Sequence, residues 1–462
     1  MSYDLRFVDS ISATPAVRLN LMAAPWAVQS ATEFGTPELR RATAGTLLTD
    51  GEQYPAAAYG NRAITLVARV VGVDQDAAAA ALQTLYRELD RPSNLLEYRP
   101  STSEPVFFRT FRAAPGSVTW DPFLMQATAV IPAEPFAYGL REALPQVTVY
   151  NDPAAPANGG YFDVVSPKGD VETPLFLRLE QGSITDFRQS IIAVRRRGTP
   201  SLMPLVAQAE SMALGTDAAL GAAGDPAMSG SGQNYVRVSF STSTALIPRV
   251  SVLNWPAAGP DARGTYRAFL RVRQSNPTES MTLRLEAVGG GWMSESVVPA
   301  VGPGTAADYV DMGLVQIPTG ADPVTDGYSG VTLSTQSPGF HVYVGRSSGA
   351  GTLDIDHLLL VPADDRLCLI SWPADSGLTA LVLDSARTMA YAVGSGGEVR
   401  RPAQQVPIVG APPMVSPGVA NRIVFVQDTG ALQSDAANRL TSTTVITPYY
   451  WPRYLYVRPV AS

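Results

Sequence analysis

The chain has 462 residues, of which 45% are hydrophobic and 16% are charged, and its formal net charge is -7 at pH 7. This composition is typical of folded globular domains and excludes a largely disordered chain. The negative charge and the lack of a basic stripe exclude nucleic acid as an expected partner. Since domains hold roughly 100 to 200 residues, about three domains are expected.

A single cysteine, Cys368, excludes an internal disulfide bond, so packing alone is expected to stabilise the fold. Residues 1–10 lack the basic segment followed by an apolar segment that is typical of a secretion signal. No apolar run approaches the roughly 18 residues of a membrane span. Neither secretion nor membrane insertion is therefore predicted. The 39 glycines and 38 prolines favour turns and short strands over long helices.

The N-terminal segment, residues 1–145, predicts a β domain with one amphipathic helix. Within residues 62–71, the apolar residues Ile64, Leu66, Ala68 and Val70 fall on one face, which is the period-2 pattern of a strand. Asp74 is a suitable N-cap for a helix that Pro92 ends. The apolar stripe of this helix consists of Ala78, Leu82, Leu85 and Leu89. Further strands are predicted at 95–98, 106–112 and 123–131.

A stretch rich in proline and glycine, NDPAAPANGG at 151–160, has no periodicity and marks a domain boundary. Residues 146–203 contain two predicted strands, at 174–179 and 191–194, which are too few for a separate domain. A longer series begins at about residue 205 and predicts a sandwich. Its strands are expected at 235–240, 245–253, 266–273, 281–288, 341–344 and 353–361.

The last segment, residues 366–462, predicts strands at 367–372, 378–383, 423–426 and 443–457. We expect these strands to complete one sandwich with 146–203, so that 204–365 is a domain inserted in a loop. The predicted fold class is therefore mainly β. It combines an N-terminal β-barrel or sheet domain carrying one α-helix with a C-terminal β-sandwich that an inserted β-sandwich interrupts.

Particular motifs accompany these patterns. The N-terminal segment combines the strand and Gly72 with the helix and the motifs LLEY at 95–98 and FFRTF at 107–111. Together they resemble the ring-forming domain of siphophage distal tail proteins. The motifs LVLD at 381–384, MVSPGVANRIVF at 414–425 and YWPRYL at 450–455 resemble the galectin-like C-terminal sandwich of phage tail proteins.

The resemblance to distal tail proteins implies a structural virion protein at the tail tip, assembled in the host cytoplasm. It implies a homo-hexameric ring that joins the tail tube to the tip, with the tail tube protein and the hub proteins as partners. On the short predicted strand at 106–112, aromatic and arginine side chains could anchor the ring interface. These candidate interface residues are Phe107, Arg109, Phe111 and Arg112.

The inserted segment carries QAESM at 208–212 and TLDIDHLLLVP at 352–362. Both resemble a carbohydrate-binding module of jelly-roll type, which implies a contact with host-surface glycans. Asp354 and Asp356 share one face of the closing strand, because alternate residues point the same way. With Glu210 they offer oxygen ligands for Ca²⁺, which the resemblance also implies. The alternative is that these carboxylates are solvated or pair with arginines, and no other cofactor is expected.

Sugar binding usually requires a flat aromatic platform with polar neighbours. Trp292, Trp255 and Tyr309 are the aromatic residues of the insert expected outside the alternating core positions. Packing in the core or under a loop is the alternative role for each of them.

The chain has few residues of the types that usually carry out catalysis, since it contains two histidines and one cysteine. It contains no metalloprotease motif and no thiol motif. The string GRSSG at 345–349 matches G-x-S-x-G, but a turn and a strand are predicted after it instead of the required helix. We therefore expect a hairpin turn there and no enzyme activity. Two rival functions remain: a glycan-binding adhesin, and a glycoside hydrolase or esterase whose carboxylates come from distant positions.

Overall fold

A computed structural model gives the fold of this chain. It describes residues 3–29, 32–44, 53–71, 74–100, 104–121, 124–150, 161–181, 189–196, 205–225, 228, 234–241, 244–252, 264–275, 281–287, 294, 307–317, 339–346, 349–362, 366–371, 378–394, 405–428 and 443–457. The chain forms two compact units. The first comprises Met1–Ala143, Pro167–Thr173 and Tyr449–Ser462, and the second comprises Leu144–Ser166 and Pro174–Pro448.

The secondary structure follows in chain order. Before residue 151 it comprises β1 (Tyr3–Val8), β2 (Val17–Asn20), β3 (Trp26–Val28), β4 (Leu39–Ala44), β5 (Gln53–Tyr59), β6 (Arg62–Val71), α1 (Gln75–Leu89), β7 (Ser93–Pro100), β8 (Val106–Phe111), β9 (Pro115–Asp121), β10 (Leu124–Tyr138), β11 (Glu142–Ala143) and β12 (Val147–Tyr150). Between 161 and 252 it comprises β13 (Tyr161–Val164), β14 (Thr173–Pro174), β15 (Phe176–Gln181), β16 (Gln189–Arg196), β17 (Leu205–Gln208), a 3-10 turn (Ala209–Ser211), β18 (Ala213–Leu214), β19 (Ala218–Leu220), β20 (Val236–Phe240) and β21 (Thr244–Val252).

The remaining strands are β22 (Gly264–Gln274), β23 (Met281–Ala287), β24 (Asp308–Ile317), β25 (Phe340–Arg346), β26 (Gly351–Pro362), β27 (Arg366–Ser371), β28 (Leu378–Asp384), β29 (Met389–Gly394), β30 (Gln405–Val406), β31 (Ile408–Gly410), β32 (Met414–Val415), β33 (Asn421–Asp428), β34 (Thr443–Tyr450) and β35 (Arg453–Tyr454). Within the described ranges α1 is the single α-helix, and no helix there is long and apolar enough to span a membrane.

The first unit is built on an antiparallel sheet with strand order β2-β1-β7-β8-β10-β6-β3, and β9 and β35 also pair with β10. The predicted alternation of β6 is present in the fold. It directs four apolar side chains into the core, Ile64, Leu66, Ala68 and Val70. Strand β10 pairs with the whole length of β6, from Leu124 opposite Val71 to Ala133 opposite Arg62.

Helix α1 covers this core as the sequence predicts. The Asp74 side chain accepts a hydrogen bond from the Ala77 backbone N–H at 2.8 Å and so caps the helix. The stripe residues Ala78, Leu85 and Leu89 are buried, and Leu82 packs against the same core while partly exposed. Amphipathic spacing therefore sets both the existence and the orientation of this helix.

The second unit contains sheets whose strands come from both sides of the predicted insert. One runs β34-β15-β28-β29-β30, and another runs β13-β33-β16-β27-β31. In the second of these, Ile192 of β16 lies between Cys368 of β27 and Phe425 of β33. The predicted fold class is confirmed: the chain is mainly β, and a C-terminal sandwich is interrupted by further β structure. The exact boundaries of the four predicted segments stay predictions.

The inserted segment forms a sandwich of its own within the second unit. A six-stranded sheet has the order β19-β20-β26-β22-β24 with β17 also on β26, and a four-stranded sheet has the order β18-β21-β25-β23. Their inner faces share one core. The outer face of the larger sheet adds a second apolar contact, where Phe269, Tyr309, Leu359 and Val361 pack with Ile191, Ala193, Leu367, Val424 and Val426 of the interrupted sandwich.

A buried ion triad joins two strands of the first unit. Glu97 on β7 is 0% exposed and lies opposite Arg6 on β1. Its carboxylate accepts hydrogen bonds from Arg6 at 2.6 and 3.1 Å and pairs with Arg99 at 3.0 Å. Two arginines thus neutralise one carboxylate that is fully removed from water.

We expect Glu97→Ala to lower the free energy of unfolding of the first unit by about 3 to 5 kcal/mol, because both arginines lose their partner. The matched control is Glu38→Ala, which removes an exposed pair with Arg40 and should cost below about 1 kcal/mol. Thermal unfolding of the two variants measures the difference. Equal midpoints would mean that the triad contributes nothing to stability.

Candidate functional site

The closing strand of the insert, β26, carries the predicted metal ligands on the outer face of the six-stranded sheet. Leu353 and Ile355 point into the core of the insert, and Asp354 and Asp356 point away from it. Both carboxylates are nevertheless buried. A buried carboxylate needs a positive partner or several hydrogen bonds, so the neighbours decide what each can bind.

Asp354 is held by two arginines. Arg237 donates to its Oδ1 at 2.7 Å and to its Oδ2 at 2.9 Å, and Arg273 donates to Oδ2 at 2.7 Å. Arg273 also donates to Asp225 at 2.7 Å, and both guanidinium groups lie 5 to 6 Å from the Tyr235 ring, at 5.3 and 5.6 Å. The hydrogen bond to Asp354 raises the pKa of Arg237. This alternating row of charges leaves Asp354 neutralised on both oxygens.

Asp356 belongs to a separate chain of hydrogen bonds, which we call the arginine chain: Arg271, Asp356, His357 and Tyr309. Arg271 Nη1 donates to Asp356 Oδ2 at 2.6 Å, and His357 Nδ1 lies 3.0 Å from the same oxygen. His357 Nε2 lies 3.0 Å from the Tyr309 hydroxyl. All four side chains are buried. A register shift between Arg271 and Val272, where β22 pairs with β26, accompanies this arrangement.

Glu210 lies in the 3-10 turn that follows β17. Its Oε2 atom is buried and accepts no hydrogen bond from any residue in the described ranges. Burial raises the pKa of Glu210, and repulsion by Asp356 raises it further. The backbone N–H of Glu210 and the nearby His357 partly oppose the rise. The turn thus brings Glu210 into electrostatic range of Asp356, whereas Asp354 has its own pair of arginines.

The expected calcium site can be tested on these contacts. A calcium ion is bound by roughly six to eight oxygen atoms. A carboxylate can be one of these ligands only if its oxygens are not already paired with arginine. The three predicted side chains do not form one cluster, and the described part of the chain contains no group of three or more His, Cys, Asp or Glu side chains placed to hold a metal. Arginines occupy the places beside Asp354 and Asp356 where a cation would lie. These residues therefore do not fit a calcium site.

The three aromatic residues predicted to form a sugar-binding platform have different outcomes. Trp255 and Trp292 lie outside the described residues. Tyr309 points away from the core of the insert as expected, but it is only 5% exposed. The reason is that the interrupted sandwich covers this part of the outer face, so Tyr309 packs edge-on against Phe269 at 6.2 Å between ring centroids. Its ring therefore offers no open face to a sugar.

Sequence reasoning missed a polar surface on the outer face of the four-stranded sheet. Alternation in β25 and β23 buries their valines and leucines and leaves His341, Tyr343, Arg284 and Glu286 half-buried on this surface. Ser251 Oγ lies 2.7 Å from His341 Nδ1. His341 is the residue of β25 that pairs with Glu286 of β23. The Arg284 guanidinium lies 4.6 Å from the Tyr343 ring. The hydrogen bond from Tyr343 to Glu286 raises the pKa of Tyr343. We call these five residues the polar face.

The predicted interface residues are split between the core and the surface. Phe107 is 0% exposed and cannot anchor a partner, because β8 lies between β7 and β10 inside the sheet and both faces of the strand are partly covered. Phe111 is 40% exposed. Arg109 lies 4.8 Å from the Tyr138 ring, and Arg112 donates to the Asp90 carbonyl at 2.8 Å. Phe111, Arg109 and Arg112 remain open to a partner.

Comparison with known proteins gives only distant structural matches. No protein-family model matches the sequence, and no curated protein matches it. The SPP1 Dit protein, described as a paradigm of the hub adsorption apparatus in phages infecting Gram-positive bacteria, is 10% identical with a TM-score of 0.29, over 77% of this chain and 99% of that one. The phage p2 baseplate in its activated conformation is 8% identical in both its forms. With Ca the TM-score is 0.26, over 93% of this chain and 99% of that one, and with Sr it is 0.24, over 75% and 99%. TM-scores of this size do not establish a shared fold.

Proposed function

We propose that this chain is a structural protein of a phage tail, placed at the tail tip, in which copies of the first unit pack into a hexameric ring. The observation that carries the proposal is the surface of β8. The segment that resembles a ring-forming tail domain folds into a large sheet under α1 and a separate β4–β5 hairpin, and Phe111, Arg109 and Arg112 stay outside its core. The neighbours in the virion would be the tail tube and hub proteins that the resemblance implies.

An exposed phenylalanine flanked by arginines has the composition of an interface anchor. Aromatic and arginine side chains dominate the energy of protein interfaces, because they combine large apolar area with directed hydrogen bonds. Arg109 already lies over the Tyr138 ring, which holds its guanidinium in place before a partner arrives. A closed ring also leaves no self-complementary surface that would continue into fibres.

We expect Phe111→Arg to weaken ring assembly by at least about 30-fold, as for loss of a central anchor, because a new charge must be buried between copies. The variant should still fold, since Phe111 is exposed in the single chain. Native mass spectrometry and electron microscopy of the purified protein measure the oligomer. The matched control is Val165→Arg, at an apolar residue of the second unit that is 68% exposed. A wild-type protein that stays monomeric at high concentration would contradict the ring.

A second function is proposed for the insert, a contact with host-surface glycans through the polar face. The face combines one guanidinium, one carboxylate, a phenol, an imidazole and a hydroxyl, so it offers both donors and acceptors with balanced charge. Such a surface suits a neutral ligand rich in hydroxyl groups. For the alternative function as an adhesin, this proposal names partly exposed residues on one sheet surface.

We expect Tyr343→Ala to reduce binding of the full-length protein to host cell-wall polysaccharide by about tenfold or more, since one ring and its hydrogen bond are lost. Isothermal titration calorimetry with the purified polysaccharide measures the affinity. Tyr456→Ala, at an exposed tyrosine of the first unit, is the control and should bind normally. Equal affinities of both variants and wild type would remove the polar face from consideration, and release of reducing sugars would favour the hydrolase instead.

A further inference from the structure

The arginine chain lies where the inserted sandwich meets the interrupted one. Tyr309, at its end, belongs to the apolar contact that includes Ile191 and Leu367 of the interrupted sandwich. His357 lies edge-on to the Tyr309 ring at 5.5 Å between centroids, and Asp356 and Arg271 follow behind it. The arginine chain therefore extends from the insert to its apolar contact with the interrupted sandwich.

We infer that Arg271 takes the structural role of a metal ion in this insert, so that the insert is folded and attached without calcium. Asp356 is fully buried and requires a positive partner. Arg271 supplies a permanent charge at 2.6 Å on the strand that pairs directly with β26. If the polar face binds glycans as proposed above, that binding does not require calcium either.

Glu210 is the predicted ligand at which an insert with calcium and an insert without it differ. A bound cation would take its buried Oε2 atom as a ligand, yet this oxygen accepts no hydrogen bond from the described residues and lies within electrostatic range of Asp356. Without a metal, burying the Glu210 carboxylate near Asp356 costs free energy. Calcium at this position would turn the same charge into a stabilising ligand.

Glu210→Gln therefore separates the two possibilities. Glutamine has nearly the same shape as glutamate but no charge, so it needs no positive partner when buried and is a weaker calcium ligand. At pH 7 we expect Glu210→Gln to have a melting temperature equal to or above that of wild type. A lower melting temperature at pH 7 would overturn the inference.

The full-length wild-type protein gives a test that depends on no variant. We expect the purified chain to contain no calcium above background by elemental mass spectrometry. Its melting temperature should be the same in excess EDTA as in millimolar CaCl₂. A melting temperature that falls on chelation and returns with calcium would show that a metal holds the insert, and the inference would be wrong. Neither result bears on ring assembly, which is measured separately.

Two variants on β22 test whether Arg271 itself carries the charge. Arg271→Gln should lower the melting temperature by about 10 °C, because it removes the permanently charged partner that lies 2.6 Å from the buried Asp356 carboxylate. Arg267→Gln, on the same strand as Arg271, removes a partly exposed pair with Asp311 of β24 and should lower the melting temperature by about 2 °C. Equal effects would show that the buried pair has no special role. An Arg271→Gln chain too unstable to purify would leave the chelation and Glu210→Gln experiments as decisive measurements.

Discussion

The antiparallel pairing of β16 with β27 and β33 is the constraint on which the second unit depends. Residue 192 of β16 lies between residues 368 and 425, so strands separated by more than a hundred residues must meet in register. Bringing together strands this far apart in sequence costs loop-closure entropy. That loss is offset only when the whole apolar face is buried. The side chains on that face, including Ile191, Ala193 and Val424, close it against the insert. The interrupted sandwich and its insert therefore share stability, although each has its own sheets.

The same pairing explains how a large insert fits into a small sandwich. Strand β16 ends at Arg196 and β17 begins at Leu205, while β26 ends at Pro362 and β27 begins at Arg366. The outgoing and returning strands are paired on both sides of these connections, since β16 pairs with β27 and β17 pairs with β26. The two ends of the insert are thus neighbours in space, which is the geometry that tolerates an inserted domain.

Local features of this fold could be predicted from the sequence, and features that depend on distant neighbours could not. The alternation of β6, the Asp74 cap and the stripe of α1 are set by nearby residues, and all are present in the fold. Tyr309 shows the limit: alternation places it on the outer face, but only the long-range fold covers that face. Phe107 fails as an anchor for a similar reason, because the position of β8 inside the sheet depends on strands far away in sequence. The partners of Asp354 and Asp356 depend on cross-strand register, which one sequence does not reveal.

The preference for arginine in this chain has a structural reason at the buried sites. Lys168 is the only lysine among the 34 basic residues. It lies partly exposed between Glu104 and Glu142, where a single point charge suffices. The buried positions need more than one directed bond: Arg237 holds both oxygens of Asp354, and Arg6 holds both oxygens of Glu97. A lysine there would satisfy one oxygen and would lose its charge more readily on burial. A permanently charged, planar donor is therefore the residue that can replace a cation inside a β-sandwich, and the described part of the inserted domain uses it at both buried aspartates, Asp354 and Asp356.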